Sequence, residues 1–370
     1  MNGVLILGSK EYPFGTNTGE DPIPSGGMET YVDDLAPELS RLIKVVIVTR
    51  KFKQTPKYEK KGNITVFRVP WVKGKWFRNP TFNLVSFLKA SGVIRQIDII
   101  YSNGIVSGLA ALKLARIFRK KAVYRPAGLV SKQYSFPIRQ ILYSLEKMLM
   151  KKSDAVVFHS DGEKRNAEEY FGLNLKNGHS ILTGFPVDKF RKASKSGKDV
   201  RITSVARFVP VKGLDVLLKA CPSLRGNYEV MMVGSGPEEE KLKRMAKDMG
   251  LEKKITFTGF RHDVPEILSN TDIFVISSHS EGLPTSLLEA MAAENACVVT
   301  DIGLPVENRK TGLIVKPGDS DALSRSVQNL VNDKSLREKL GKNARRFVLD
   351  NCTQKKAAEK HIQLFRRILG

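Results

Sequence analysis

Short apolar runs alternate with stretches of helical periodicity along nearly the whole chain, and this alternation restricts the fold more than any single motif. In the first half the segments are 4–7, 28–42, 45–49, 64–69, 82–94, 97–101, 106–118, 122–124, 138–150, 155–158 and 163–171. Strands joined by helices of this length predict a parallel sheet, doubly wound and covered on both faces. Ligands of such sheets sit beyond the carboxyl ends of the strands. The pattern lapses over the polar, aperiodic residues 189–199 and resumes at 200–205. At 370 residues the chain exceeds what one core usually supports. The expectation is therefore two α/β domains, residues 1–188 and 200–350, with a linker at 189–199 and a last helix at 351–370.

The second half carries the pattern that suggests chemistry. A strand-like run, residues 272–277, leads into Glu281-Gly282-Leu283-Pro284-Thr285-Ser286-Leu287-Leu288-Glu289, where apolar helical spacing begins. Pro284 suits a first helical turn, and Thr285 or Ser286 suits a cap. A helix N-terminus offers unpaired amides and a positive dipole end, which seats phosphate. Glu281 then lies in the loop before that seat and Glu289 about one turn inside the helix. The two carboxylates flank an anion without touching it, which suits a nucleotide sugar: hydroxyls at both ends and phosphate between. Taken alone, a glutamate pair at this spacing also arises by chance on a solvated helix face.

Other matches follow in order. With Ala290-Met291-Ala292 behind it and Val298-Val299-Thr300-Asp301-Ile302-Gly303 beyond, Glu281-x7-Glu289 resembles the signature of the family-4 retaining glycosyltransferases of the GT-B fold. Arg207-x4-Lys212-Gly213, near the start of the second domain, resembles another motif of that family. The resemblance implies two Rossmann-like domains facing across a cleft, the first for the acceptor and the second for the donor, with the last helix crossing back to the first. It implies transfer of a hexose, with retention, from a UDP- or GDP-linked sugar to a lipid-linked or polysaccharide acceptor in cell-surface glycan synthesis.

Glu281, Arg207 and Lys212 are the catalytic candidates under this reading. Glu281 would contact the sugar hydroxyls, Glu289 the ribose, and Arg207 with Lys212 the diphosphate. Amides of Gly282 and Leu283, beside Pro284, would complete the cradle. Gly234 would lie beside the nucleotide, and Gly259 and Phe260 in the base-contacting loop. Two cations and a helix N-terminus act where negative charge develops on the departing diphosphate, so neither metal nor cofactor is expected and the nucleotide sugar is a substrate.

In the first half the likeness is mostly architectural. The loop 9–25 ends in Gly26-Gly27-Met28-Glu29, whose family counterpart faces the diphosphate and the acceptor. Paired glycines at a helix start let backbone approach a ligand closely. Where relatives commonly carry histidine after the 122–124 strand, this chain has Ala127-Gly128, leaving Arg125 and His159 to reach the cleft. After Glu289 the family usually has two glycines before a proline, and only Gly303 stands here.

Charge is placed unevenly. Between Arg41 and Lys152 there are 25 Lys or Arg against Glu59, Asp98 and Glu146, a net of +22 out of +23 for the chain. A one-sided excess implies an anionic partner. Trp71, Lys73, Lys75, Trp76, Phe77 and Arg78 have the composition of a membrane-interface segment, indoles at headgroup level and cations on anionic lipid; a packed hairpin with solvated lysines is the alternative. No run is long enough to span a bilayer, so the expected location is cytoplasmic, peripheral on the inner face of the cell membrane. Cys221, Cys297 and Cys352 show no paired spacing and are expected to be reduced core thiols. The aromatic residues are not interleaved as stacking platforms, which argues against nucleic acid. The competing reading is a noncatalytic polyanion- or glycan-binding protein with a relict donor site.

Overall fold

The computed structural model describes residues 1–13, 15, 16, 27–72, 78–193 and 199–370. It divides into two compact units: residues 1–159, 163–185 and 354–370 in the first, 160–162 and 186–353 in the second. Gly26, Lys73, Lys75, Trp76 and Phe77 lie outside the described residues.

The strands of the first unit are β1 (Gly3–Leu7), β2 (Lys44–Arg50), β3 (Tyr58–Lys61), β4 (Ile64–Val69), β5 (Ile99–Asn103), β6 (Lys121–Arg125), β7 (Ala155–Phe158) and β8 (Gly178–Ser180). They pair in the order β3-β4-β2-β1-β5-β6-β7-β8, with β3 antiparallel to β4 and the rest parallel. Both faces are covered, which is why β1 is apolar at consecutive positions instead of alternating. Leu5, Leu7, Val46, Val48 and Ile100 pack with residues of the helices Arg78–Val93 and Ile105–Phe118. Val4, Ile6, Val45, Ile47 and Ile99 pack on the opposite side with Gly27–Ser40 and the last helix, Gln354–Leu369. That helix is pinned by a buried polar contact: the Tyr31 hydroxyl lies 2.9 Å from the Tyr101 hydroxyl and 2.8 Å from His361 Nε2. Burial pulls the His361 pKa down to about 4, so the ring is neutral.

Two of these strands escape the apolar pattern. β3, Tyr-Glu-Lys-Lys, is a mostly exposed edge strand, and charge on an edge blocks pairing with other chains while erasing the strand's hydrophobic signature. β8 has only three residues, too few to show a period.

The second unit contains β9 (Val200–Val205), β10 (Tyr228–Val233), β11 (Ile255–Gly259), β12 (Ile273–Ile276), β13 (Ala296–Thr300) and β14 (Gly312–Val315), all parallel, in the order β11-β10-β9-β12-β13-β14. Winding reverses between β9 and β12, and in the first sheet between β1 and β5. Each reversal opens a crevice beyond the strand ends where ligands bind in doubly wound sheets. All three cysteines are buried, and none is in a disulfide among the described residues. No helix among the described residues is long and apolar enough to cross a membrane.

Candidate functional site

The second unit's crevice is built by the segments leaving β9 and β12. After β9 the chain is held by backbone: Ala206 N donates to Val233 O at 3.0 Å and Phe208 N to Ser235 O at 2.9 Å. Arg207 stands between these two anchors with an exposed side chain and no partner among the described residues. A short turn, Pro210–Lys212, then ends at Gly213, whose φ of 58° is left-handed. Glycine is required there, since an added Cβ would come within 2.3 Å of Ser277 O. This close approach brings the turn against the exit of β12, where His279 N donates to Val211 O at 2.8 Å and Ser277 Oγ to Lys212 O at 3.2 Å.

The consequence is a side-chain contact across 69 residues of sequence. Lys212 Nζ donates to Glu281 Oε1 at 2.5 Å, and Ser278 Oγ donates to the same oxygen at 2.8 Å. Ser278 is fixed in turn by Thr300 Oγ1, which donates to its carbonyl at 2.6 Å. Ser278 belongs to the site although no sequence signal marked it beyond its place three residues before Glu281. The spacing reading gave Lys212 and Glu281 separate duties; the fold makes them a pair, with the charge of each balanced by the other.

Beyond Glu281 the helix runs Thr285–Ala292, with Pro284 at its N-cap and no side-chain cap. Neither hydroxyl fills the capping role expected of it: Ser286 Oγ instead donates to Val205 O at 3.2 Å, tying the helix start to the end of β9, and Thr285 is exposed. Leu287 N donates to Pro284 O at 3.1 Å, while the amides of Thr285 and Ser286, like those of Gly282 and Leu283, have no acceptor among the described residues. Glu289, one turn in, has no partner among the described residues, and burial pushes its carboxyl up from 4.5 to about 7. A lone half-buried carboxylate beside open amides is an arrangement a ligand with hydroxyls and phosphate would complete.

The neighbouring strand ends close the other side. Gly234, at φ 133°, lies so close to Ala206 that a Cβ would meet its carbonyl at 1.9 Å, and its amide donates to Gly259 O at 2.9 Å. After Gly259, Phe260 is 69% exposed, with its ring edge-on to His262 at 4.9 Å between centroids. An exposed phenylalanine at a strand's carboxyl end is a platform for a planar ring.

In the first unit Arg125, at the end of β6, is only 3% exposed. It donates to Asn103 Oδ1 at 3.3 Å and to His159 Nε2, and its guanidinium carbon lies 3.8 Å over the Tyr31 ring. It forms no salt bridge among the described residues, but the buried carboxyl of Glu163, whose Oε2 accepts from His159 N at 2.7 Å, interacts with its charge. His159 Nε2 accepts from Arg125, so Nδ1 carries the proton toward Thr183 Oγ1 at 2.7 Å. Burial, with Arg125 next, holds the ring's pKa well below its usual value. The two residues chosen separately for their strand-end positions thus form one cluster. Gly27 opens the helix Gly27–Ser40, and Glu29 is buried, its Oε1 accepting from Lys10 N at 3.2 Å.

Trp71 departs from its expected place. Its indole Nε1 donates to Lys51 O at 3.1 Å, its ring packs edge-on against Phe52 at 6.1 Å, and Arg50 sits 4.8 Å over it. The side chain is half-buried, its ring has apolar and cationic neighbours, and its one donor is satisfied. Arg78 starts the helix Arg78–Val93.

Comparison with known proteins covers both units. The family model described as Glycosyltransferase Family 4 matches residues 25–189, and that described as Glycosyl transferases group 1 matches residues 187–347. The lipopolysaccharide core biosynthesis glycosyltransferase LpsE of Rhizobium meliloti is 26% identical over 65% of this chain and 70% of its own length. The N,N'-diacetylbacillosaminyl-diphospho-undecaprenol alpha-1,3-N-acetylgalactosaminyltransferase of Campylobacter jejuni is 27% identical over 79% of this chain and 83% of its own. Among solved structures, Anabaena HepE in complex with UDP superposes with a TM-score of 0.77 over 99% of this chain and 100% of that one, at 18% identity, a likeness of fold.

Proposed function

This chain belongs to the group 1 and family 4 glycosyltransferases of the GT-B fold, and from that membership we propose that it transfers a hexose, with retention, from a nucleoside diphosphate sugar to an anionic lipid-linked or glycan acceptor. The observation that carries the donor site is the joining of Lys212, Ser278 and Glu281 at the reversal between β9 and β12, ahead of a helix start with open amides. Diphosphate fits the open amides with Arg207 and Lys212, by bidentate hydrogen bonds from the first and point charge from the second. Ribose hydroxyls fit the unpartnered Glu289, and the base fits Phe260. Sugar hydroxyls fit Glu281, which the Lys212 and Ser278 bonds hold in one orientation. HepE was solved with UDP, which supports a uridine nucleotide as the first candidate.

Catalysis in this reading is electrostatic. Arg207, Lys212 and the helix N-terminus meet the charge that grows on the departing diphosphate, without reorganising at the moment of reaction. These groups are our reason for proposing that transfer needs no metal. For the acceptor, the excess of cations in the first unit supports an anionic group. The undecaprenol-linked substrate for which the Campylobacter jejuni relative is named supports a lipid carrier at the membrane surface.

The test is a panel of UDP- and GDP-sugars scored by thermal shift and by released nucleoside diphosphate, with and without chelator. One donor should stabilise the protein and turn over equally in chelator. If no donor binds, the donor site is relict and the polyanion- or glycan-binding reading replaces the transferase.

A further inference from the structure

A surface that combines the first unit's cations with exposed apolar side chains lies on the helical layer that covers a single face of its sheet. Arg78–Val93, Ile105–Phe118 and Ile138–Lys152 all pack on the face presented by Leu5, Val46, Ala122, Tyr124 and Val156. Their outward side is not the polar surface such helices usually show. Phe136, in the turn before the third helix, is 83% exposed, and Ile141, in its first turn, is 61% exposed. Ile138 on the same helix, Ile117 on the second, and Leu84 with Leu88 on the first are exposed as well. From residue 134 to 141 every side chain is exposed.

Charge on the same layer has one sign. Between Ile105 and Lys152 there are eleven Lys or Arg and one acid, Glu146, which is fully buried and accepts from the amides of Val130 and Ser131 at 2.9 and 3.0 Å. Lys113, Arg116, Lys151 and Lys152 are exposed with no ion-pair partner among the described residues. Between the second and third helices runs a groove of about 330 Å³ whose walls are apolar Leu109, Leu112, Ile117 and Met148 and whose rim is basic.

We propose that this layer seats the first unit on an anionic lipid bilayer, with Phe136, Ile138 and Ile141 entering the headgroup region and Lys113, Arg116, Lys151 and Lys152 meeting lipid phosphates. The inference rests on the reading of a membrane-borne acceptor given above. Bulky aliphatic side chains and single-sign cations on one helical layer match a bilayer interface, which takes both at once. A second copy of the chain docked through this face would press cation against cation. Nucleic acid would take the cations but has no use for exposed isoleucines, which do not stack on bases.

Co-sedimentation of the full chain with phosphatidylcholine vesicles, with and without a phosphatidylglycerol fraction, tests the assignment at about 0.1 M salt, where exposed charges still act over roughly 10 Å. The wild type should bind anionic vesicles selectively. Each basic residue near an anionic surface is worth roughly a fivefold factor, so Lys113→Glu, Arg116→Glu and Lys152→Glu together should lower partitioning by at least ~100-fold. Phe136→Ser with Ile138→Ser and Ile141→Ser should lower it separately, and both sets should keep the wild-type thermal shift with UDP or GDP. Equal binding to neutral vesicles, no vesicle binding by the wild type, or wild-type partitioning by both variants would overturn the proposal. So would a dimer in solution that the charge reversals abolish while sedimentation stays unchanged. Selective, variant-sensitive sedimentation without transfer to any lipid-linked acceptor would remove the acceptor reading and leave the docking face standing; transfer in detergent with variant-insensitive sedimentation would do the reverse.

Discussion

Replacing Glu289 by Gln should stabilise the ligand-free protein above neutral pH and weaken its hold on nucleotide. Leu287, Leu288, Ala290 and Met291 around it in the helix Thr285–Ala292 are buried, and burial pushes its carboxyl from 4.5 up to about 7. A carboxyl that holds its proton more tightly folded than unfolded favours the native state fully only below its unfolded pKa. That contribution is lost as pH rises from 4.5 through 7. Linkage makes the loss about 3 kcal/mol by pH 8, most of it between pH 5 and pH 8. Glutamine has the same size and cannot ionise, so the stability gap between variant and wild type should widen by that amount over the interval. In a unit of this size the corresponding change in unfolding midpoint is roughly 5–10 °C. Thermal unfolding at the two pH values reads it directly. Ribose hydroxyls, by donating to the ionised form, should lower the pKa again. Wild-type affinity for UDP should therefore rise as pH passes from about 5.5 to 7.5, with a proton released on binding that calorimetry in two buffers detects, and the variant should show neither. A variant whose midpoint follows the wild type at both pH values would refute the burial argument, and pH-independent UDP affinity in the wild type would refute the ribose contact.

Glu281→Gln keeps an oxygen for Lys212 and Ser278 but removes the charge. Turnover should fall by roughly 10²–10³-fold with the unfolding midpoint nearly unchanged, and normal turnover in a steady-state assay would sink the donor-site assignment. Gly234→Ala places a methyl carbon 1.9 Å from Ala206 O at a φ of 133°, so the segments leaving β9 and β10 must separate. Thermal unfolding should show a loss of about 3 kcal/mol or more; an unchanged midpoint would mean that the close approach does not hold these segments together.

The fold was largely legible because each covered face of a parallel sheet leaves consecutive apolar residues, and each crossover leaves a helical period. What patterning missed follows from the same physics: β3 is an exposed edge made of charge, and β8 is three residues long. Site residues were legible as types at strand ends, but their pairings were not. Lys212 meets Glu281 because Gly213 lets two backbones approach, and nothing local records which strand will be the neighbour. Ser286 looks like a cap in sequence and is drawn off by the Val205 carbonyl, a tertiary choice between two acceptable bonds. Trp71 among lysines looks like an interface residue, yet Phe52 and Arg50, some twenty positions earlier, supply its packing.

The first unit makes the same point about chemistry. His159 was one of two groups left to serve where relatives commonly carry histidine and this chain has Ala127. Its Nε2 accepts from Arg125 and its Nδ1 donates to Thr183, so both ring nitrogens are engaged and the ring has no free nitrogen with which to take a proton. Burial first, and then the second positive charge that a proton would set against Arg125, hold its pKa well below the usual value. His159 therefore acts in this geometry as a neutral brace for a buried guanidinium, and Arg125 has Tyr31 and Asn103 around it, with the buried carboxyl of Glu163 also acting on its charge. A histidine base is then absent from this cluster for a physical reason. The proposed retaining transfer is compatible with that absence, because it delivers the acceptor's proton to the departing phosphate oxygen on the same face and asks of the first unit only position and positive potential.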